Sequence, residues 1–196
     1  LEVKLTEVMT HRLPEVRRHR CLSVRALGPV EELCEQANVL AVGPGLGRHR
    51  ETAELVRRIA RRLHKPLVVD ADGLNACAEY KDIFLSRSEE TILTPHVGEF
   101  AYLSGFSKQD ILAQPIETSR TFAVENGVVL VLKGAPSVIA SPDGSVMINP
   151  TGNAGMATAG TGDVLTGLIA GFWAQGMSAV GAASLAVYLH GAAGDS

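Results

Sequence analysis

Four short aliphatic runs each end in a polar or glycine-rich loop, and this pattern constrains the fold more than any other feature of the chain. Residues 39–42 run into Gly43-Pro44-Gly45-Leu46-Gly47, and 67–69 into Asp70-Ala71-Asp72-Gly73. Residues 91–93 run into Thr94-Pro95-His96-Val97-Gly98-Glu99, and 128–132 into Lys133-Gly134-Ala135-Pro136-Ser137. Helical patterns follow at 51–63, 97–104 and 109–125, the order expected of an α/β chain whose parallel strands are joined by crossover helices. A further strand is expected at 21–25 with a helix at 30–36. Asp72 is expected to N-cap a short helix reaching Ala78. A hairpin is expected at 138–140 and 146–148 around the Asp143-Gly144 turn. In open parallel sheets ligands bind beyond the carboxyl ends of the strands. Four such loops therefore predict a small-molecule site on one edge of the sheet.

Composition removes other classes. The 196 residues carry 18 Lys+Arg against 21 Asp+Glu and are 46% hydrophobic, which argues against disorder and against a general nucleic-acid binder. Thirteen of the basic residues fall within residues 1–69. Arg57, Arg58, Arg61 and Arg62 account for much of this excess, since they share a helical pattern with Glu54 and the apolar positions Leu55, Val56 and Ile59. Cys21, Cys34 and Cys77 are odd in number and far apart, so neither a disulfide framework nor a zinc ribbon is expected, and a reducing cytoplasm fits. Residues 164–194 lack Lys, Arg, Asp and Glu but are interrupted at Gln175-Gly176 and rich in small residues. Two packed core helices, 162–175 and 178–193, explain them better than a membrane span. Residues 1–20 mix charged and apolar positions without the uncharged run of a signal peptide.

The segment 152–163, Gly-Asn-Ala-Gly-Met-Ala-Thr-Ala-Gly-Thr-Gly-Asp, places four glycines before a helix. Main-chain N–H groups at such a helix start attract a phosphate-sized anion. Asp163 there either complements the helix dipole or serves as a general base toward an attacking hydroxyl. Lys133 either snorkels at a strand end or meets phosphates as a point charge. His96 either contacts ligand or is structural, Glu99 favours a helix N-terminus, and Asp70 is a weak Mg²⁺ candidate. Walker A, GxGxxG, GxSxG and HExxH patterns do not occur.

Together, GPGLG at 43–47, DADGLN at 70–75, LTPHVGEF at 93–100, LKGAPS at 132–137 and GNAGMATAGTGDVLTG at 152–167 resemble the ADP/ATP-dependent (S)-NAD(P)H-hydrate dehydratases of the ribokinase-like superfamily. The resemblance implies a ribokinase-like α/β fold, with a central mostly parallel sheet flanked by helices, incomplete at both termini, and residues 1–196 as one partial domain. It implies nucleotide binding by Lys133, Gly134, Ala135, Pro136, Ser137, Gly160 and Gly162, substrate binding by Gly45, Gly47, His96 and Asp163, and catalysis by Asp163. The implied cofactors are ADP, with ATP as the alternative, and Mg²⁺, for which Glu99 is a weak ligand candidate. The partners implied are NAD(P)H hydrate and an adenine nucleotide, with neither nucleic acid nor membrane. A homo-oligomer, a tetramer by resemblance, and an epimerase domain upstream in a longer parent are also implied.

Two other readings remain at this point. One is a small-molecule kinase of the same superfamily phosphorylating an alcohol or vitamin precursor. Sugar kinases tend to carry Asn where this chain has His96, three residues before the shared Glu, which favours the dehydratase. The other is a nucleotide-binding module without activity.

Overall fold

A computed structural model describes residues 8–196; the first seven residues of the stretch read above as free of a signal peptide lie outside it. The main sheet has six strands in the order β3-β4-β5-β6-β7-β8. They are β3 (Leu40–Val42), β4 (Leu67–Val69), β5 (Thr91–Leu93), β6 (Val129–Leu132), β7 (Ser137–Ala140) and β8 (Val146–Asn149). β3 to β6 are parallel, and β6, β7 and β8 are antiparallel. The fold is thus α/β with a mostly parallel central sheet, as expected.

The unbroken aliphatic sequences of β4 and β6 follow from burial on both faces. Leu67, Val69, Leu93, Leu130 and Leu132 face one core, while Val68, Ile92, Val129 and Val131 face the other. Against the first pack α2 (Arg50–Arg62), α3 (Asp72–Cys77), α4 (Asp82–Leu85), α5 (Val97–Ser104), α6 (Lys108–Ala113) and α7 (Pro115–Asn126). Against the second pack α8 (Thr161–Ala174) and α9 (Ala179–Gly194), with Ala182, Ala183 and Ala186 fully buried. The uncharged 164–194 stretch is therefore core. Among the described residues no helix is long and apolar enough to cross a membrane.

Three expectations need correction. The strand at 21–25 does not join the main sheet. Only Cys21–Leu22 (β2) is extended, pairing antiparallel with Glu15–Val16 (β1). Ser23 ends it by capping the 3₁₀ turn Val24–Ala26 and donating its hydroxyl to Glu51 Oε2 at 2.8 Å. The helix at 109–125 is two helices. Pro115 pushes Gln114 out of the α region (φ −135°, ψ 59°) and then starts α7 at its first position. The helix at 30–36 is α1 (Leu27–Cys34), because Pro29 is tolerated within a first turn. α4 went unread; four residues carry too little periodicity. The hairpin forms, with Gly144 at φ +85° in its turn.

The cysteines are all free, and burial pushes the Cys77 thiol up to about 12, so it stays protonated inside the core. Arg87 supplies a structural device the sequence hides. Its guanidinium donates to the carbonyls of Ala60, Leu63 and Lys65 and to Thr91 Oγ1. It thereby satisfies the open C-terminal carbonyls of α2 and ties them to the entry of β4. Burial lowers its pKa. Arg87→Ala should lower the unfolding free energy by about 2–3 kcal/mol, since charged hydrogen bonds are lost and carbonyls stranded. Urea denaturation tests this, and a change below about 0.5 kcal/mol would contradict the assigned role.

Candidate functional site

Because β3 to β6 run parallel, their four terminal loops meet on one edge. The isolated parallel bridge between His96 and Lys133 extends the β5–β6 pairing past Pro95, whose carbonyl accepts the Lys133 N–H at 2.8 Å. His96 and Lys133 are thereby fixed side by side.

Asp70, at the end of β4, anchors this edge. Its side chain is 1% exposed; Oδ1 accepts from Lys133 Nζ at 2.8 Å and Oδ2 from Thr166 Oγ1 at 2.8 Å. With each oxygen accepting a hydrogen bond, Asp70 acts as a strut between Lys133 and Thr166. The next residue, Ala71, has φ +48°, a strained conformation that turns the chain from Asp70 into α3. Lys133 Nζ also lies 3.9 Å from Glu99 Oε2.

His96 and Glu99 form a reciprocal cap at the start of α5. His96 Nδ1 accepts from the N–H groups of Gly98 and Glu99, at 2.9 and 3.2 Å, and Glu99 Oε2 accepts the His96 N–H at 2.9 Å. Glu99 is structural in this respect, with one oxygen committed to the cap. The imidazole is held by its Nδ1 side, and its side chain remains 60% exposed.

Two cavities open on this edge, and His96 lines both. One, about 560 Å³, is bordered by Lys133, Gly134, Ala135, Ser137 and Gly162, together with residues from β8, the following loop and α9. Gly162, in the first turn of α8, sits so close to Lys133 that a Cβ there would lie 3.3 Å from Nζ. The lysine and the helix N-terminus therefore converge on the same volume, an arrangement suited to phosphate. The second cavity, about 490 Å³, is bordered by Gly47, Arg48, Asp72, Asn75, Glu99 and Tyr102 among others. Its glycine turn is pinned by Asp72, which accepts the Gly47 N–H at 2.8 Å and lies 3.6 Å from Arg48. Asp72 is thus not the N-cap of α3 but its first helical residue, and it reaches across to the neighbouring loop.

The structure brings Lys133, Gly134, Ala135, Ser137, Gly162 and His96 to one cavity, and Gly47, His96 and Glu99 to the other. Gly45, Pro136, Gly160 and Asp163 border neither; Gly45 and Gly160 shape their turns at positive φ. Asp163 stands in the first turn of α8, exposed, beside Gly162. Among the described residues its carboxylate has neither a hydrogen bond nor an ion pair. Sequence reasoning passed over Thr166, Tyr102, Asn149, Met156 and His190. The first two would have needed a helix-face argument carried across two loops, and the last three border a cavity closed by segments far apart in the chain.

Removing Asp70 should expose the weight it bears. Asp70→Ala leaves Lys133 and Thr166 without their partner and is expected to cost about 3–5 kcal/mol, the range for breaking a buried pair. Asp70→Asn, which keeps the shape and a hydrogen-bonding oxygen, should cost less. Urea midpoints ranking the two variants equally would refute the electrostatic role.

The sequence model of the family described as NAD(P)H-hydrate dehydratase matches residues 1–196. The chain is similar to the bifunctional NAD(P)H-hydrate repair enzyme Nnr of Moorella thermoacetica, 50% identical over 195 residues. That match covers all of this chain and 37% of the relative's length. It is also similar to the solved ADP/ATP-dependent NAD(P)H-hydrate dehydratase of Bacillus subtilis, co-crystallised with ATP/Mg²⁺ and soaked with CoA. There the TM-score is 0.72 and the identity 34%, over 83% of this chain and 60% of that one. A ribokinase-like superfamily protein from Enterococcus faecalis superimposes with a TM-score of 0.76 at 29% identity, over 91% of this chain and 63% of that one. The fold is ribokinase-like, and the chain belongs to the NAD(P)H-hydrate dehydratase family.

Proposed function

We propose that this chain carries out the ADP-dependent dehydration of (S)-NAD(P)H hydrate, releasing NAD(P)H, AMP and phosphate. The observation that carries this reading is that His96 borders both cavities, one of which also takes in the N-terminus of α8. Two small molecules, one in each cavity, would both reach His96. The cavity with Lys133 and Gly162 takes the nucleotide, its terminal phosphate directed at the helix N-terminus. The cavity with Gly47 and His96 takes the hydrated nicotinamide.

In this reading the ring hydroxyl of the hydrate attacks the terminal phosphorus of ADP. Its proton passes to Asp163, whose carboxylate has no competing partner among the described residues, and AMP departs as the P–O bond breaks. The hydrate is now a phosphate ester. Loss of phosphate with a ring proton restores the double bond, so the net change is removal of water from the ring and its addition across the ADP phosphoanhydride. Lys133 offsets phosphate charge with the N–H donors that Asp70 does not use.

Mg²⁺ bound with the nucleotide would neutralise phosphate charge. The donor set fits such an ion only loosely, because each Asp70 oxygen already accepts one hydrogen bond and Glu99 shares one oxygen with its cap. Among the described residues no cluster of three His, Cys, Asp or Glu could hold a metal by itself. That suits Mg²⁺, which usually arrives with phosphates and keeps several waters. ADP is the proposed nucleotide, with ATP the alternative. The proposed setting is the cytoplasm, within a longer chain that carries an epimerase.

Incubating the protein with hydrated NADH and ADP should restore the absorbance of NADH. Product formed only from a sugar or a vitamin alcohol would replace this reading with a kinase, and nucleotide binding without turnover of any acceptor would leave a binding module. Asp163→Asn should lower turnover by about 10²–10⁴ while leaving ADP affinity nearly unchanged. A near-normal rate would remove Asp163 from the chemistry. Lys133→Ala should weaken ADP binding about tenfold or more, read by calorimetry, as expected for a charge-assisted contact to phosphate; unchanged affinity would return Lys133 to a purely structural role.

A further inference from the structure

The hairpin of β1 and β2 carries charge that the chain itself does not neutralise. Residues 8–25 hold five arginines against one acid, Glu15. Arg17, Arg18, His19 and Arg20 follow one another in the turn between the strands. Among the described residues, the guanidinium groups of Arg12, Arg17, Arg18 and Arg20 have neither a hydrogen bond nor an ion pair. The later arginines of α2 differ: Arg57 and Arg58 pair with Glu54, Arg61 with Asp82 and Arg62 with Glu31. Arg20 also sits at φ +50°, a region that is costly for a residue with a side chain. Such local costs gather at ligand sites, and an anion would relieve the crowding of like charge.

The hairpin is fastened to the first turn of α2. Thr52 Oγ1 donates to the Leu22 carbonyl at 3.0 Å, Ser23 Oγ donates to Glu51 Oε2, and the His19 and His49 ring centroids are 4.6 Å apart. His49 is the N-cap of α2. Gly47 and Arg48, just before it, border the 490 Å³ cavity, as does Ala53. On the hairpin side, Arg17, Arg18 and Arg25 border an open cavity of about 630 Å³ together with Glu15 and Glu51. Glu51 there is already held by Ser23 and the Val24 N–H. Glu51 and Ala53 lie two positions apart and so project from opposite sides of the turn. One helix turn, about 10–12 Å across with its side chains, therefore separates the cavity assigned to the nicotinamide from the arginines.

NAD(P)H is a dinucleotide, and its adenosine half must extend beyond a cavity that holds the nicotinamide. ADP is assigned to the cavity on the far side of His96, which closes that direction. Asp72 and Glu99 give two other parts of the rim an acidic character, whereas Arg48, on the α2 side, has a side chain 76% exposed. The anionic pyrophosphate is thus drawn past Arg48, over the first turn of α2 and toward the hairpin. NADPH differs from NADH only by a phosphate on the adenosine ribose, and paired arginine donors suit a phosphate.

We infer that the Arg17-Arg18 turn receives the 2′-phosphate of the adenosine half, so that the chain favours NADPH hydrate over NADH hydrate. This rests on the activity proposed above, which leaves the choice between the two substrates open. It assigns the β1–β2 hairpin to substrate selection.

Unhydrated NADPH and NADH serve as probes, because the fluorescence of their reduced nicotinamide reports binding without turnover. Titrated into the 196-residue chain, NADPH should bind about tenfold more tightly than NADH. Combining Arg17→Ala with Arg18→Ala should weaken NADPH about tenfold and NADH by less than about twofold, which closes the gap. Arg17→Lys with Arg18→Lys, which keeps the charge without the planar fork, should retain part of the preference. Should the alanine variant fail to fold by circular dichroism, Arg17→Gln with Arg18→Gln, which keeps length without charge, carries the same comparison. Equal binding of the two dinucleotides by the wild-type chain, a preference that survives loss of both arginines, or equal loss for both ligands would overturn the inference. A wild-type chain that prefers NADPH yet repairs no hydrate would overturn the proposed activity alone, whereas one that binds neither dinucleotide would overturn both.

Discussion

The ion pair between Asp70 and Lys133 organises this edge of the protein. Asp70 ends one strand of the sheet, Lys133 follows another, and between them lies β5, whose exit loop carries His96. A carboxylate so deeply buried is tolerated only if both its oxygens are satisfied. The second oxygen is satisfied by Thr166, from the helix layer on the opposite side of the sheet from α3. One carboxylate thus joins two strand ends and α8. The cost of burying it enforces their spacing, because separating any of the three partners would leave a buried polar group unpaired.

The four parallel strands of the main sheet were legible because strands buried on two faces must be largely aliphatic, and the loops at their ends were legible because glycine, proline and charge interrupt those runs. The limits appear where local chemistry overrides the pattern. Residues 21–25 look like a strand, but Ser23 is a better cap than strand residue, and its hydroxyl finds Glu51 on α2. Gln114 precedes proline and breaks a helix that periodicity alone would continue. Asp72 reads locally as a cap, yet its carboxylate crosses to the Gly47 turn. No periodicity contains that information, since the partner lies on another loop of the same sheet edge.

The candidate site divides in the same way. Lys133, Gly134, Gly162 and His96 could be named from sequence because they belong to contiguous motifs. Thr166 lies within one of those motifs, but its partner Asp70 sits across the sheet edge, and His190 stands on a helix face outside every motif. The cavity beside Lys133 illustrates the reason. One wall is a strand-end loop and a helix N-terminus, which have recognisable residue types. The other is a small-residue helix docked on a loop, where glycines at 191 and 194 signal close approach without revealing what is approached.

Two aspartates in this site have opposite surroundings, and the contrast bears on which of them can move a proton. Asp70 is buried, with a lysine and a threonine on its two oxygens, so accepting a substrate proton would disrupt the pair that holds the edge together. Asp163 is exposed, and among the described residues its carboxylate has no partner. The two remain mechanically linked. Thr166 lies three residues after Asp163, on the same face of α8, so the hydrogen bond from Thr166 to Asp70 fixes the rotation of the helix that presents Asp163. A strained Ala71 immediately after Asp70 is consistent with that demand, since the backbone is held there at a local cost while the carboxylate serves two elements at once. The buried carboxylate thereby sets the orientation of the helix that carries the exposed one.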